Sequence, residues 1–400
     1  MSWIQTLYDT YEYLSDFNFK NPGSVEGLLP PAILQQKAQL TVVLDEDSNF
    51  VRAEVVNFDI KLPATQDSLY RTGAEPHALF DQLKYVAGDL KDYNGGKNAD
   101  HEKKFVPYIK NLSKLCETWP NEYVNIIYKY LEKKCLVHDL IKYNIFKEVK
   151  GKENEYNIKD HFVIFAIEKD GEIIKLWEDY RFLNDYSKYY IDYLDKNKSA
   201  NQGLCYVCGK VNTLSKSHGK YIRFPGDGSK LISSNDDKNY TFKGRFYSAD
   251  EACGISFEVS EKSHSVLRYL IRKQGYNKNG FTILVWSVNG EDIINPMYDT
   301  DDLSFLSQSG FDVKRVDTNE NFANELNRAI NGYKSNLSCK NVNLIVMDSP
   351  SLPKNDKKTI GRMSILYYNE KNIDDYLEAI KKWHLDLAWV HYYKKDDTDK

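Results

Sequence analysis

Two cysteines three positions apart form the first pattern in this sequence that could do chemistry. Cys205 and Cys208 are followed by Gly209, which is the arrangement of half a zinc knuckle. A structural zinc ion takes about four ligands, so a second half is required. His218 and Cys253 could complete the set in space. The pair is therefore either a zinc site or two reduced thiols in a turn, and no other cofactor is expected.

A second pattern is the pair His138-Asp139, a combination that metal-dependent phosphohydrolases use. Asp299, Asp301 and Asp302 could add oxygen ligands for a divalent cation. Both features also have ordinary explanations, a histidine at a helix end and a solvated acidic loop. The sequence has no P-loop, dinucleotide-binding, HExxH or GxSxG motif. We therefore expect a protein without catalytic activity, and a metal-dependent nuclease is the alternative.

The third pattern is a local excess of positive charge. Residues 209–247, which we call the basic-aromatic segment, hold eight basic and three acidic residues, whereas the whole chain has a net charge of −4. Cations that neutralise phosphates, beside rings that stack on unpaired bases, are typical of nucleic-acid binding. The alternative is a solvated loop whose aromatic residues face the core. The candidate DNA ligands in this segment are Lys220, Arg223, Lys243 and Arg245.

Length and composition set the class of protein. A chain of 400 residues, 42% apolar and 28% charged, is large enough for two or three folded domains. Six cysteines without an export signal favour reduced thiols and a cytoplasmic protein. No apolar run approaches the roughly 18 residues of a membrane helix, so no membrane partner is expected.

Hydrophobic periodicity predicts helices and hairpins that do not alternate as in a parallel α/β sheet. We expect an α+β fold of more than one domain, with small antiparallel sheets or hairpins and packed helices. The DKNKSANQG stretch predicts a boundary near residue 200. We assign an N-terminal α+β domain to 1–200 and a second α+β domain, with the basic-aromatic segment, to 201–400. The predicted helices include one near the N-terminus, one beginning at Pro76, and others at 105–116, 121–134, 176–197, 262–273 and 319–331.

Several segments, in this order, resemble one family, the large subunit of the type I-C CRISPR surveillance complex, Cascade. Matches spread over nearly the whole chain are hard to obtain by chance, although each is short. The segments are IQTLYDTYEYL, TVVLDEDSNF, RTGAEPHALFDQLKYVAG, LISSNDDKNYTFKGRFYSADEACGISFEVSEKSHSVLRYLI and GRMSILYYNEKNIDDYLEAIKKWHLDLAW.

The resemblance implies a non-catalytic role in RNA-guided defence. It implies a subunit that reads the protospacer-adjacent motif on duplex target DNA, helps to open the duplex and docks a helicase-nuclease. Guide RNA and the other Cascade subunits would be its partners, and base pairing with the guide would read the remaining sequence. A structural subunit that contacts RNA is a further alternative. The resemblance also implies a C-terminal helical bundle, which we expect this chain to lack.

The Arg-Thr-Gly loop at 71–73 is the candidate reader of that motif. A helix N-terminus presents free N–H groups and a positive dipole end to a phosphate, and glycine permits a close approach. Arg71 and Thr72 could then reach phosphates or base edges. Alternatively, Arg71 pairs with a local acid such as Glu75, and Thr72 only caps the helix. The candidate DNA ligands here are Arg71, Thr72, Gly73 and Lys84.

Overall fold

The computed structural model of the chain divides into two compact units, each built from separate stretches of sequence. The hairpin unit contains 29–219 and 233–265, and the terminal unit contains 1–28, 220–232 and 266–400. The sequence predicts consecutive domains at 1–200 and 201–400, and that domain assignment stays a prediction. The structure describes residues 2–20, 27–71, 73–93, 101–146, 158–197, 201–224, 226–233, 246, 249–297, 319–349 and 361–387.

A mixed sheet forms the centre of the hairpin unit. Strands β1 (Ile33–Asp45) and β2 (Phe50–Pro63) form a long antiparallel hairpin. Strand β4 (Phe162–Lys169) pairs in parallel with β1. The short strands β3 (Asp81–Gln82) and β5 (Glu172–Ile174) are both antiparallel to β4. The strand order among these elements is β2-β1-β4-β3, so β4 lies inside the sheet, which explains its uninterrupted apolar sequence.

Helices cover this sheet through buried tyrosines whose hydroxyl groups bind main-chain carbonyl groups. Tyr108 donates to the Leu79 carbonyl at 2.7 Å, and Tyr186 donates to the Ala64 carbonyl at 2.8 Å. A two-stranded ribbon of β6 (Gln202–Leu204) and β7 (Val211–Thr213) follows. The helices that begin in this unit are α2 (Leu83–Val86), α3 (Val106–Thr118), α4 (Glu122–Glu132), α5 (Leu136–Lys142), α6 (Tyr180–Lys196), α7 (Ala249–Ala252) and α8 (Phe257–Gln274).

The terminal unit has its own antiparallel sheet. Its described strands follow the order β11-β10-β9-β8. They are β8 (Tyr276–Lys278), β9 (Phe281–Trp286), β10 (Asn341–Asp348) and β11 (Ser364–Asn372).

A core between this sheet and the first helix holds the terminal unit together. Helix α1 (Trp3–Lys20) buries Leu7, Tyr11 and Leu14 in the same cluster as Trp286 of β9. The remaining helices of the unit are α9 (Asn319–Ser335) and α10 (Ile373–Leu387). Among the helices that the structure describes, each is too short or too polar to cross a bilayer.

The predicted α+β class is confirmed, but the helix predicted to begin at Pro76 is wrong. Residues 73–80 form bends and irregular backbone, and the nearest helix, α2, has only 4 residues. The reason is a competing acceptor. The buried carboxylate of Asp81 accepts the main-chain N–H of His77 at 2.8 Å and of Gln82 at 2.7 Å. Hydrogen bonds to this side chain therefore replace the helical ones.

Two matched hairpin turns provide a stability test. Gly171, between β4 and β5, and Gly280, between β8 and β9, have φ angles of +80° and +91°. A Cβ on Gly171 would meet no atom within 4 Å, whereas one on Gly280 would lie 2.3 Å from the Ser349 carbonyl oxygen. We expect Gly171→Ala to lower the free energy of unfolding by about 1–2 kcal/mol. Gly280→Ala should lower it by about 1–3 kcal/mol more, because backbone must move.

Urea unfolding of the full chain measures both values. Equal losses for the two variants would show that the close approach at Gly280 has no energetic effect.

Candidate nucleic-acid interface

Cationic residues from separate segments of the terminal unit are linked to one another through Lys220 and Lys230. The Arg268 guanidinium donates to the Lys220 carbonyl oxygen at 3.0 Å, and Arg272 follows one turn later on α8. Lys230 forms an isolated parallel bridge with Arg362, just before β11. We call Lys220, Lys230, Arg268, Arg272 and Arg362 the basic cluster.

Two members of the basic cluster have a pKa that is lowered, first by burial and then by a neighbouring positive charge. Burial lowers the pKa of Lys230, and the positive charge of Lys220 lowers it further. Burial likewise lowers the pKa of Arg272, with an added contribution from Arg268. A neighbouring positive charge disfavours the charged form of a basic group, and a nearby anion favours it. The basic cluster can therefore bind a phosphate backbone.

Arg223, predicted to contact DNA, lies in a buried ion pair. Its guanidinium donates to the Asp227 carboxylate at 2.8 and 3.0 Å and to the Gly280 carbonyl. The two side chains are 5% and 0% exposed. Because Asp227 also accepts the main-chain N–H of Ser229, it closes the turn that follows Lys220. DNA binding by Arg223 stays a prediction, and it would require the guanidinium to leave this pair.

Arg71 has a similar environment in the hairpin unit. Both of its terminal nitrogens donate to the Asp81 carboxylate at 2.7 Å, and one also binds the Glu75 carbonyl oxygen. The guanidinium lies 4.6 Å from the ring centre of Tyr85. Burial alone would lower the pKa of Arg71, but the hydrogen bonds and charge of Asp81 outweigh burial and raise it. The Arg71 side chain is only 17% exposed. Because its guanidinium binds both Asp81 and the Glu75 carbonyl, it stabilises the conformation of the loop.

The other candidates in this loop differ from one another. Gly73 is exposed, its φ lies outside the left-handed region, and no described atom lies within 4 Å of where its Cβ would stand. Lys84 binds Asp160 at 2.6 Å and is 19% exposed. Thr72 lies outside the described residues, and so do Lys243 and Arg245. DNA contact by each of them stays a prediction.

The His138-Asp139 pair has structural partners. Asp139 accepts a hydrogen bond from the Tyr130 hydroxyl at 2.9 Å. Asp89 accepts the main-chain N–H groups of Val137 and His138, so it caps the start of α5. The acidic residues of the nuclease alternative, Asp299, Asp301 and Asp302, lie outside the described residues.

The predicted metal ligands Cys205 and Cys208 lie in the tight turn between β6 and β7. Burial alone would raise the pKa of the Cys205 thiol, but main-chain N–H groups directed at its sulfur outweigh burial and lower it. Burial raises the pKa of Cys208, and a hydrogen bond to Cys205 adds to the effect. Of the two thiols, Cys205 therefore loses its proton more readily. Metal binding stays a prediction.

Three members of the basic cluster were not predicted from the sequence. Arg268 and Arg272 lie four residues apart in a predicted helix, so helical spacing alone could have shown a cationic face. Arg362 lies in the Gly-Arg-Met stretch before β11, and its proximity to Lys230 depends on tertiary structure. Charge counted along the chain cannot detect such a cluster.

Comparison with known proteins identifies a family. A family model described as CRISPR-associated protein (Cas_Csd1) matches residues 7–399. No protein in the curated set of sequences matches the chain.

Buried His77 provides a pH test of the loop around Asp81. Burial lowers the pKa of His77 to about 4, from 6.5 for the free side chain; the charge of Asp81 opposes the shift and that of Arg71 adds to it. Between pH 4 and pH 6.5, His77 binds a proton in the unfolded chain but stays neutral in the folded chain. The stability from neutral His77 is therefore complete above pH 6.5 and is lost as pH falls towards 4. We expect a loss of about 2 kcal/mol between pH 7 and pH 5.

The measurement is urea unfolding at both pH values for the wild type and for His77→Gln. The variant should lack this part of the pH dependence. Parallel pH profiles for the two proteins would contradict the assignment.

Proposed function

Because the chain belongs to the Cas_Csd1 family of CRISPR-associated large subunits, we propose that it is the DNA-binding large subunit of a type I-C Cascade complex. In this role it recognises the protospacer-adjacent motif on duplex target DNA, helps to open the adjacent duplex and docks the helicase-nuclease. It acts in the cytoplasm with guide RNA and the other Cascade subunits, and it catalyses no reaction itself.

The basic cluster is the observation that supports this proposal best. The chain has a net charge of −4, so long-range attraction by the whole molecule does not bring it to DNA. A local cluster that includes Lys220, Arg268 and Arg272 supplies the attraction instead. Contacts to phosphates fix the position and direction of a duplex and carry no sequence information. The basic cluster therefore contributes to the affinity for DNA and does not read its sequence.

Motif reading requires a different surface, and we assign it to the exposed loop at Gly73. The chain itself gives no reason for glycine at this position, because neither its φ nor any described neighbour excludes a Cβ. A close approach by an external molecule would require glycine. The pair Arg71–Asp81 fixes the base of the loop, so its tip can be presented without a large loss of entropy on binding.

The affinity role predicts a change in salt dependence. In a reconstituted complex, Lys220→Ala and Arg272→Ala should each weaken binding to duplexes of every sequence. The slope of log K against log salt should fall by about 0.9 for each phosphate that is no longer neutralised. Gel shifts at several salt concentrations measure the slope. Lys175→Ala is the control, because Lys175 is an exposed lysine of the hairpin unit paired with Glu178.

Unchanged slopes for both cluster variants would remove the basic cluster from the DNA interface. If crosslinking then placed the basic cluster on guide RNA, the RNA-contacting structural subunit would replace the present proposal.

The reading role predicts a loss of discrimination without a loss of stability. Gly73→Ala adds a methyl group in open space, so the melting temperature should not change. Affinity for a duplex with the correct flanking motif should fall about 10-fold, within the range of about 1–3 kcal/mol for a blocked base contact. Affinity for a duplex without the motif is the internal control and should not change. Equal affinity of variant and wild type for the motif would exclude this loop as the reader.

A further inference from the structure

The hairpin unit holds a set of sulfur and imidazole donors that does not include the loop at Gly73. The first donors are in the turn between β6 and β7. The Cys205 N–H donates to the Lys210 carbonyl at 2.8 Å, the Gly209 N–H donates to the Cys205 carbonyl at 2.9 Å, and Gly209 has a φ of +70°. This turn places the Cys208 thiol within hydrogen-bonding distance of the Cys205 sulfur. Two sulfur atoms are thus already adjacent.

The main chain around Cys205 stabilises a sulfur anion. The Ser256 N–H donates to the Cys205 sulfur at 3.3 Å, and the N–H groups of Val207 and Cys208 also donate to it. Metal-bound thiolates usually accept hydrogen bonds from neighbouring groups, which fix the sulfur and offset its charge. The three N–H donors around the buried Cys205 sulfur have the same effect.

A second pair of donors comes from a different part of the sequence. The Cys253 sulfur lies 3.9 Å from Nε2 of His218. Nδ1 of His218 lies 2.8 Å from the Ser260 hydroxyl oxygen. When Nδ1 donates this bond, Nε2 keeps its lone pair on the side of Cys253. A histidine whose other nitrogen is held in this way is the usual form of a metal ligand.

The two pairs are joined by main-chain hydrogen bonds. The Tyr206 N–H donates to the Gly254 carbonyl at 2.8 Å, so the residue after Cys205 is bound to the residue after Cys253. The bond from Ser256 to the Cys205 sulfur is a second link between the same segments. The two donor pairs therefore lie on backbone segments that are directly hydrogen-bonded to each other.

As placed, no three of the described His, Cys, Asp and Glu side chains converge closely enough to hold a metal ion. We propose that Cys205, Cys208, Cys253 and His218 bind one Zn²⁺ ion after the side chains of Cys253 and His218 turn towards the cysteine pair. Three thiolates and one imidazole match the tetrahedral ligand set that zinc takes in structural sites. The ion would join the β6–β7 turn to the segment before α8.

Cobalt substitution tests the site in the full-length chain. One equivalent of Co²⁺ should give the visible and thiolate charge-transfer absorption of a tetrahedral sulfur-rich site, and Zn²⁺ should abolish it. Cys208→Ser should weaken Co²⁺ binding about 10-fold or more, as should Ser260→Ala, which removes only the hydrogen bond to His218. Cys116→Ser is the control, because Cys116 is a half-buried cysteine on α3. Circular dichroism checks that each variant folds.

Three results would overturn the proposal. The first is a wild-type protein without charge-transfer absorption, and the second is equal Co²⁺ affinity for Cys208→Ser and the control. The third is a Cys205–Cys208 disulfide, detected by mass, that forms reversibly in protein purified without chelator, because the pair would then be a redox couple.

Discussion

A buried carboxylate paired with an arginine is the interaction on which the proposed reading loop depends. Asp81 is fully buried and accepts hydrogen bonds from both terminal nitrogens of Arg71 and from two main-chain N–H groups. An ionised carboxylate in such a place is tolerated only when its oxygens are satisfied in this way. Removal of one partner from a buried pair costs about 3–5 kcal/mol. The shape of residues 73–82 therefore depends on one side chain.

The terminal unit repeats the same solution at a second loop. Asp227 is fully buried and binds the guanidinium of Arg223, as well as the N–H of Ser229. In both units an arginine next to a glycine-containing turn is used to hold that turn. In the proposed function, the residues beside these pairs that meet the DNA are the exposed Gly73 in one unit and the half-buried Lys220 in the other.

The sequence predicted the regular elements well, because apolar spacing decides them. Leu7, Tyr11 and Leu14 lie on one helical face, and all three are buried. The turn at Asp170-Gly171 was also predicted, since its positive φ angles suit those residues. The segment at 73–80 was not predicted, because the His77 N–H binds the Asp81 side chain and the Ala78 N–H binds the Pro63 carbonyl, and apolar spacing shows neither bond. The proximity of Arg268 to Lys220 and of Arg362 to Lys230 was not predicted either, since these residues come from segments far apart in sequence.

The internal role of both arginines changes how their substitutions should be interpreted. An Arg71 variant could bind DNA more weakly for either of two reasons. It would lose any direct interaction of Arg71 with DNA, and it would also lose the shape of the loop, because Asp81 would be left buried without its partner. Arg223 presents the same ambiguity with Asp227. Substitutions at residues outside these buried ion pairs, such as Gly73 and Lys220, distinguish a lost DNA contact from a lost loop conformation. Sequence composition identifies a segment rich in basic residues. Only the ion pairs within the fold show which of those basic side chains are already bound to a carboxylate.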